Sequence, residues 1–520
     1  MYAMKEELLA LIILSVFLSV TVGVILPPLS TASQGTQVDE KTRHVLHIFE
    51  QISAIPRCSK HEQKISKWLK KWAKNHGLKV RTDSVGNVLI KVPAAKGYKN
   101  APEIVLQGHM DMVCQKTPDS DHDFSKDPIR MIYEGKWLRA DKTTLGADDG
   151  IGIAIGLALA EDKAVSHPPL ELLFTVNEEA GFTGVFALKK GFLKGRIFLN
   201  LDSEKEGVLT IGSAGAGATV IDLPISMNSI SKDYKAYKLR AHGMRGGHSG
   251  VDIHEHRANG IKILAQALNE VNRSSEIRLI SIKGGTAVNA IPRDVEALIA
   301  CEPRSLSPLK TLLSDFEQRV RNEYRPTEKS MALTLSQIDP KTSVKSALTT
   351  EDTDRVIELL LALPNGVAEM SSNIEGFIEA SNNLGIVGTK KKALRVVSLQ
   401  RGSTMSKLEK ITEKVETMAS RAGARAKTGG SIPAWEPNMK SPLLQRCKEV
   451  YKDVFGKEAV VAVVHGGLEC SVIGQKYPHL DMIALGPTVV DLHSPDEKLH
   501  IPSVGKVWQF LVVLLGSYGQ

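Results

Sequence analysis

The sequence predicts an α/β protein: a mixed sheet covered by helices on both faces, interrupted in mid-chain by an inserted α+β domain. Three observations carry this reading. From Asp39 onward, short apolar runs alternate with segments of helical length, and the runs are continuous, as strands buried on both faces require. Several of these runs end directly in acidic or histidine-bearing motifs, and ligands gather beyond the carboxyl ends of strands in such sheets. After Gly217 the texture changes, and the α/β pattern resumes only near the end of the chain.

Taken in order, residues 45–55 and 62–72 read as helices and residues 88–92 as a strand. Residues 103–107 form a short apolar strand feeding into Gly-His-Met-Asp. Residues 151–160, rich in Gly and Ala, have helical length. Residues 170–176 are a strand running into Glu178 and Glu179, and residues 196–201 another running into Asp202. Strands follow at 234–242, 277–282, 296–300 and 394–399. A helix over 257–269 has Ile261, Leu264, Ala265 and Leu268 on one face, and another covers 309–324. Residues 427–442, with a Gly pair and three prolines, read as the returning linker. Strands at 460–464 and 482–485 and a helix at 504–515 close the chain. The division expected is residues 1–38 as an extension, 39–214 and 429–520 as the two parts of a catalytic domain, and 215–428 as the insertion.

Composition narrows the function. The 520 residues are 42% apolar and 24% charged, which excludes a mostly disordered chain, a collagen-like repeat and a polytopic membrane protein. A net charge of +8 is modest for this length, and no basic run carries interleaved aromatics, so no nucleic-acid partner is expected. Five cysteines, far apart and without a CxxC pair, argue against a disulfide scaffold or a thiolate zinc site. At the N-terminus, residues 8–25 carry no charge and would span about 27 Å as a helix. Ser30, Thr31 and Ala32 suit a cleavage site, but Lys5 is followed by Glu6 and Glu7, unlike a secretory leader. The segment reads as a signal or single membrane anchor, with an upstream extension or a wrongly chosen start as the alternative. It is excluded from the fold argument.

The motifs at the strand ends point to metal chemistry. His109 and Asp111 share a face of an extended stretch, so the imidazole can bind a cation while the carboxylate accepts its other N–H. Alone, the pair fits a polar turn equally well. Asp148 and Asp149 precede an apolar helix, where an acid is commonly a cap, but a carboxylate there can also bridge two cations. Glu178 and Glu179 follow a buried strand and point in different directions, one suited to a metal and the other to a proton. Asp202 ends its strand in the same manner, and His493 lies near the chain's end. Together two imidazoles and four acids suit a pair of borderline-soft divalent cations, zinc first, with manganese or cobalt able to substitute.

These motifs resemble the M20 metallopeptidase family, most closely its aminoacyl-histidine dipeptidase (Xaa-His dipeptidase, carnosinase-like) branch. The matching segments are GHMDMV (108–113), GADDGIG (146–152), TVNEEAG (175–181), NLDSE (200–204), GGHSG (246–250), NAIPR (289–293) and DLHSP (491–495). The resemblance covers everything after about residue 40, and no motif residue is missing. It implies a mixed-sheet zinc-peptidase catalytic domain interrupted by a lid domain, with two zinc ions per chain. Asp148 would bridge the metals, His109 and Asp202 would hold one, and Glu179 and His493 the other. Glu178 would be the general base for a metal-bridging water, and Asp111 would orient His109. His248 would stabilise the oxyanion, Asn289 would lie in the same lid region, and Arg401 would bind the substrate carboxylate. The implied substrate is a dipeptide, Xaa-His or related. The family's usual compartment is the cytoplasm, and a homodimer through the inserted domain is left open.

Rival readings remain. An N-acyl amino acid deacylase or a tripeptidase would use the same metals with a different pocket. A non-catalytic metal- or peptide-binding protein is a different class, and an intact Glu178 argues against it. Gly212, Gly215 and Gly217 give GxxGxG, which is not the dinucleotide fingerprint, and no GxSxG occurs. Cys114, beside Val113, reads as packing rather than as a nucleophile.

Overall fold

The computed structural model describes residues 38–339, 344–372 and 376–519. The N-terminal apolar stretch, with its export-or-anchor reading, lies outside the described residues.

An eight-stranded mixed sheet forms the base of the molecule. Its order is Lys79–Thr82, Val88–Val92, Leu170–Thr175, Ile104–His109, Ile197–Asn200, Asp481–Ala484, Val208–Ser213 and Val460–Val464. The four central strands are mutually parallel, and three of them carry the motifs: β1 (Ile104–His109), β2 (Leu170–Thr175) and β3 (Ile197–Asn200). Every residue of β1 and β2 is buried, which is why their sequences run apolar without alternation. Register then aligns the ends. His109 pairs with Thr175 across β1 and β2, and Gln107 with Asn200 across β1 and β3, so the residues that follow emerge at one edge.

Helix α1 (Ala147–Glu161) lies against β1 and against the helix Glu40–Ser53. It is buried almost all round, from Ala147 to Leu159 with only Asp148 emerging, which explains its Gly- and Ala-rich composition. The last helix, Ile501–Gly516, belongs to the same core: Leu511, Leu514 and Leu515 are fully buried. Residues 501–519 are long and apolar enough to cross a membrane, a property the sequence reading missed, yet here that character serves packing against Glu40–Ser53 and Pro442–Phe455.

A second sheet of nine strands, antiparallel throughout, runs from Gly215–Pro224 to Arg425–Ile432. Helices Gly260–Ser274, Leu306–Glu323, Thr350–Ala362 and Met405–Arg421 bury Leu264, Leu309, Val356 and Val415 in an apolar core separate from that of the first sheet. The strand β4 (Ala393–Gly402) carries Arg401 near its end. Part of the expected linker is a strand: Arg425–Ile432 pairs with Gly215–Pro224, and the ladder breaks between Gly429 and Ile432, beside the Gly pair. Two glycines of the GxxGxG run, Gly212 and Gly215, serve close approach of neighbouring backbone. A Cβ on Gly212 would stand 2.9 Å from the Trp435 carbonyl oxygen, and one on Gly215 2.8 Å from the Ala434 nitrogen.

Cysteine usage also needs correcting. Cys58 and Cys114 form a disulfide, joining the loop after the first helix to the segment beyond Asp111. Parallel pairing of Cys58 with Met112 brings the two together, a contact 56 residues apart in sequence that spacing could not reveal. Cys301, Cys447 and Cys470 are free and buried.

Candidate metal centre and peptide site

The ends of β1, β2 and β3, the start of α1 and the loop before Lys498–His500 converge on one cluster. His109, Asp148 and Asp202 each offer a donor atom, all within 4.8 Å of one another, and so do Asp148, Glu179 and His493. The two triads share Asp148. One of its oxygens stands 2.8 Å from Nε2 of His109, the other 3.2 Å from Nε2 of His493. His493 Nε2 also lies 3.0 Å from Oε2 of Glu179, and Oε1 of Glu179 is buried without a hydrogen-bond partner. A third triad, His109 with Glu178 and Glu179, overlaps the first two.

Asp111 is completely buried and does more than orient an imidazole. Its carboxylate lies 3.5 Å from Nδ1 of His109, accepts the Ser59 hydroxyl at 2.7 Å, and accepts the backbone N–H groups of Glu178 (2.9 Å) and Glu179 (3.2 Å). One side chain therefore fixes an imidazole and the turn carrying both glutamates.

Charge in the cluster is unbalanced. Burial pushes the carboxyls of Asp202, Glu178 and Glu179 above their usual range, and neighbouring carboxylates add to the shift. Burial also opposes charge on His493, but Asp148 and Glu179 outweigh it and hold the imidazole up at about 11. His109 is raised in the same way by Asp111 and Asp148, against burial. Four crowded acids, two imidazoles and an orphaned carboxylate oxygen are the donor chemistry a pair of divalent cations would satisfy. The residues fit such a pair.

Three buried groups hold this edge, and two of them, Glu497 and Arg57, the sequence reading did not single out. Glu497 accepts four consecutive backbone N–H groups, those of Leu145 (2.8 Å), Gly146 (2.9 Å), Ala147 (2.8 Å) and Asp148 (3.4 Å). Arg57, 1% exposed, donates to the carbonyls of Met110 (3.1 Å), Asp111 (2.8 Å) and Gly146. Asp149 accepts the N–H groups of His109 and Gly152 and fills the space that a side chain on Gly108 or Gly152 would take. Glu497 is an acid in a loop and Arg57 a base in a loop. Neither carries a local signal that it is buried.

The second sheet supplies a different cluster. His248 sits on a two-stranded ribbon opposite Ala290, and the Asn289 carbonyl accepts the N–H of Ser249. The Asn289 side chain is exposed. His248 Nδ1 accepts from the backbone of Gly250 (3.3 Å) and Val251 (3.1 Å), so the ring proton resides on Nε2, which lies 3.5 Å from Arg401. Arg401 is 5% exposed, its Nε has no partner, and no carboxylate among the described residues pairs with it. Burial lowers its pKa to about 10. His465, also buried, reaches across from the loop after Val460–Val464 to meet the Ser381 hydroxyl at 2.7 Å.

Burial, with Arg401 nearby, lowers the pKa of His248 to about 4 and that of His465 to about 3. Below an unfolded-state value of about 6.5, the unfolded chain binds protons that these folded imidazoles refuse. Stability from both groups is present above that pH and is lost as pH falls toward 4. Between pH 7 and pH 4 the urea midpoint of His465→Gln is expected to change in the stabilising direction relative to the parent, because the variant lacks the imidazole that the folded chain keeps neutral.

Two cation-sized donor sets sharing a carboxylate, at the carboxyl ends of the parallel central strands, are the donor arrangement of a metallohydrolase. Residues 239–328 match the peptidase dimerisation domain model of the M20 peptidases. The chain is 39% identical over 468 residues to the cytosol non-specific dipeptidase of Escherichia coli, covering 90% of this chain and 96% of that protein. The structure is similar to that of aminoacylhistidine dipeptidase from Vibrio alginolyticus, with a TM-score of 0.78 and 36% identity, covering 92% of this chain and 97% of that one. Aminopeptidase PepT from Bacillus cereus shares the fold, at 17% identity and a TM-score of 0.53, over 93% of this chain and all of that one. The chain belongs to the M20 metallopeptidase family.

Proposed function

We propose that the protein is a dipeptidase dependent on two divalent cations, zinc first and manganese or cobalt as substitutes, that cleaves Xaa-His and related short dipeptides. The observation that carries this reading is the pair of donor triads sharing Asp148, combined with a buried, carboxylate-free Arg401. His109 and Asp202 would hold one cation, Glu179 and His493 the other, with Asp148 between them. Bound there, the cations would polarise the scissile carbonyl and make water more acidic. Glu178 takes the proton of the attacking water and passes it to the leaving amine. Asp111 holds His109 and the backbone of Glu178 so that base and ligand keep their relative position. His248, neutral and protonated on Nε2, donates toward the oxyanion as it forms. Arg401 supplies the missing counter-charge for the substrate's carboxylate, and Asn289 is assigned to the same lid region, where its backbone carbonyl accepts the N–H of Ser249.

The domain reading accompanies this: residues 39–214 and 429–520 as the catalytic domain, 215–428 as the lid, and homodimerisation through the matched segment. A cytoplasmic location is inferred from the cytosolic relative.

The test uses the carboxylate. Arg401→Lys is expected to raise KM for Ala-His by roughly 10- to 100-fold while kcat changes only a few-fold, because Lys loses the forked donor geometry. Ala-His amide is expected to be a comparably poor substrate for the parent chain. Equal turnover of acid and amide would overturn carboxylate recognition by Arg401.

A further inference from the structure

A buried acid behind the proposed ligands remains without a task. Glu469 opens the helix α2 (Glu469–Lys476), in the segment that follows the second sheet, and is 0% exposed. It does not cap its own helix. Oε2 instead accepts the Gln107 amide and the Thr175 hydroxyl, each at 2.6 Å. Gln107, its amide fixed in that orientation, accepts Nδ2 of Asn200 through its own oxygen at 2.7 Å. Gln107, Thr175 and Asn200 are all fully buried.

Their positions in the chain give the network its meaning. Gln107 precedes His109 by two residues on β1, Thr175 precedes Glu178 by three on β2, and Asn200 precedes Asp202 by two on β3. Four polar side chains thus lie across three parallel strands in an otherwise apolar layer, immediately behind the proposed ligands and base. Polar groups in such a layer destabilise it unless satisfied, so the network specifies one arrangement of the strand ends. Its only ionisable member is Glu469. No Lys, Arg or His pairs with it among the described residues, and Oε1 has no hydrogen-bond partner. A buried anion of this kind needs positive charge nearby. Burial raises its pKa to about 7 against the Thr175 and Gln107 hydrogen bonds and the field of His109, so positive charge in front of it would hold it ionised.

We infer that Glu469 is a positioning residue of the metal centre: its carboxylate holds the three ligand-bearing strand ends in register and offsets the charge of the cations bound in front of them. The inference rests on the two-cation reading above. Two variants of the full chain separate its parts. Glu469→Gln keeps an oxygen that can accept from Gln107 and Thr175 but removes the charge; Glu469→Leu removes both. Zinc affinity is measured by competition with a chromophoric chelator, and the ligand field by the visible spectrum of the cobalt-loaded protein.

Glu469→Gln is expected to bind zinc roughly 10- to 100-fold more weakly than the parent, with cobalt bands unshifted. Glu469→Leu is expected to show both weaker binding and shifted bands, with a lower kcat at saturating metal. Should Glu469→Leu fail to fold, Glu469→Gln still decides the charge role. Parent-like zinc affinity in Glu469→Gln overturns that role, and an unshifted spectrum in Glu469→Leu overturns the positioning role. A parent chain that takes up no zinc overturns the metal reading, and this inference with it. Zinc binding by the parent, matched by both variants, overturns the inference alone.

Discussion

Glu178→Gln is expected to lower kcat for dipeptide hydrolysis by about 10³-fold, within the range of a lost general base, while the chain still takes up two cations. The expectation follows from the geometry. The two triads sharing Asp148 do not need Glu178, whereas its backbone N–H is pinned at 2.9 Å by the buried Asp111 carboxylate. The amide is close in size to the carboxylate and leaves that hydrogen bond in place, but it accepts no proton. Because Glu178 also belongs to the triad with His109 and Glu179, the metal count decides its role. Metal analysis alongside kcat checks both halves: loss of one cation per chain with loss of activity would make Glu178 a ligand rather than the base.

Glu497→Ala is expected to have the second-largest effect. One buried carboxylate receives the N–H groups of Leu145, Gly146, Ala147 and Asp148, so its removal leaves three buried donors and one half-buried donor unsatisfied. Each such donor costs about 1–3 kcal/mol before relaxation or entry of water. These donors also set the path of the chain into Asp148, the residue common to both triads. Cation affinity is therefore expected to fall by roughly 100-fold, and the thermal midpoint to drop with it. Glu497→Gln, which keeps one accepting oxygen, is expected to fall between the parent and Glu497→Ala. Titration with zinc against a chelator, together with thermal unfolding, measures both.

Much of this was legible in the sequence because buried parallel strands write themselves as apolar runs and their ends as abrupt polar motifs. β1, β2 and β3 were each visible in that way, and the residues that follow them make up most of the cluster. His493 was legible only as part of a motif, since it arrives from a loop near the end of the chain. What stayed hidden is what long-range contact decides. The Cys58–Cys114 bridge depends on pairing between a loop and a strand extension. The strand Arg425–Ile432 reads as linker because it lies at the edge of its sheet, partly exposed and broken at a Gly pair. Glu469 and Glu497 look like ordinary surface acids until the fold buries them. A buried carboxylate is recognised by the donors brought to it, and those come from residues about 290 to 360 positions away.

The central claim is that two cations in these triads hydrolyse short peptides with a free carboxylate. The measurement that tests it most directly is hydrolysis of a small panel by metal-free protein reconstituted with zinc, manganese or cobalt. The panel holds β-alanyl-histidine, Ala-His, Ala-Ala, an alanine tripeptide and an N-acetyl amino acid. Cleavage of the His dipeptides that disappears with chelator and returns with metal, at two cations per chain, is the predicted result. Two bound cations with no cleavage of any dipeptide, or with turnover of the acetylated compound alone, would contradict it.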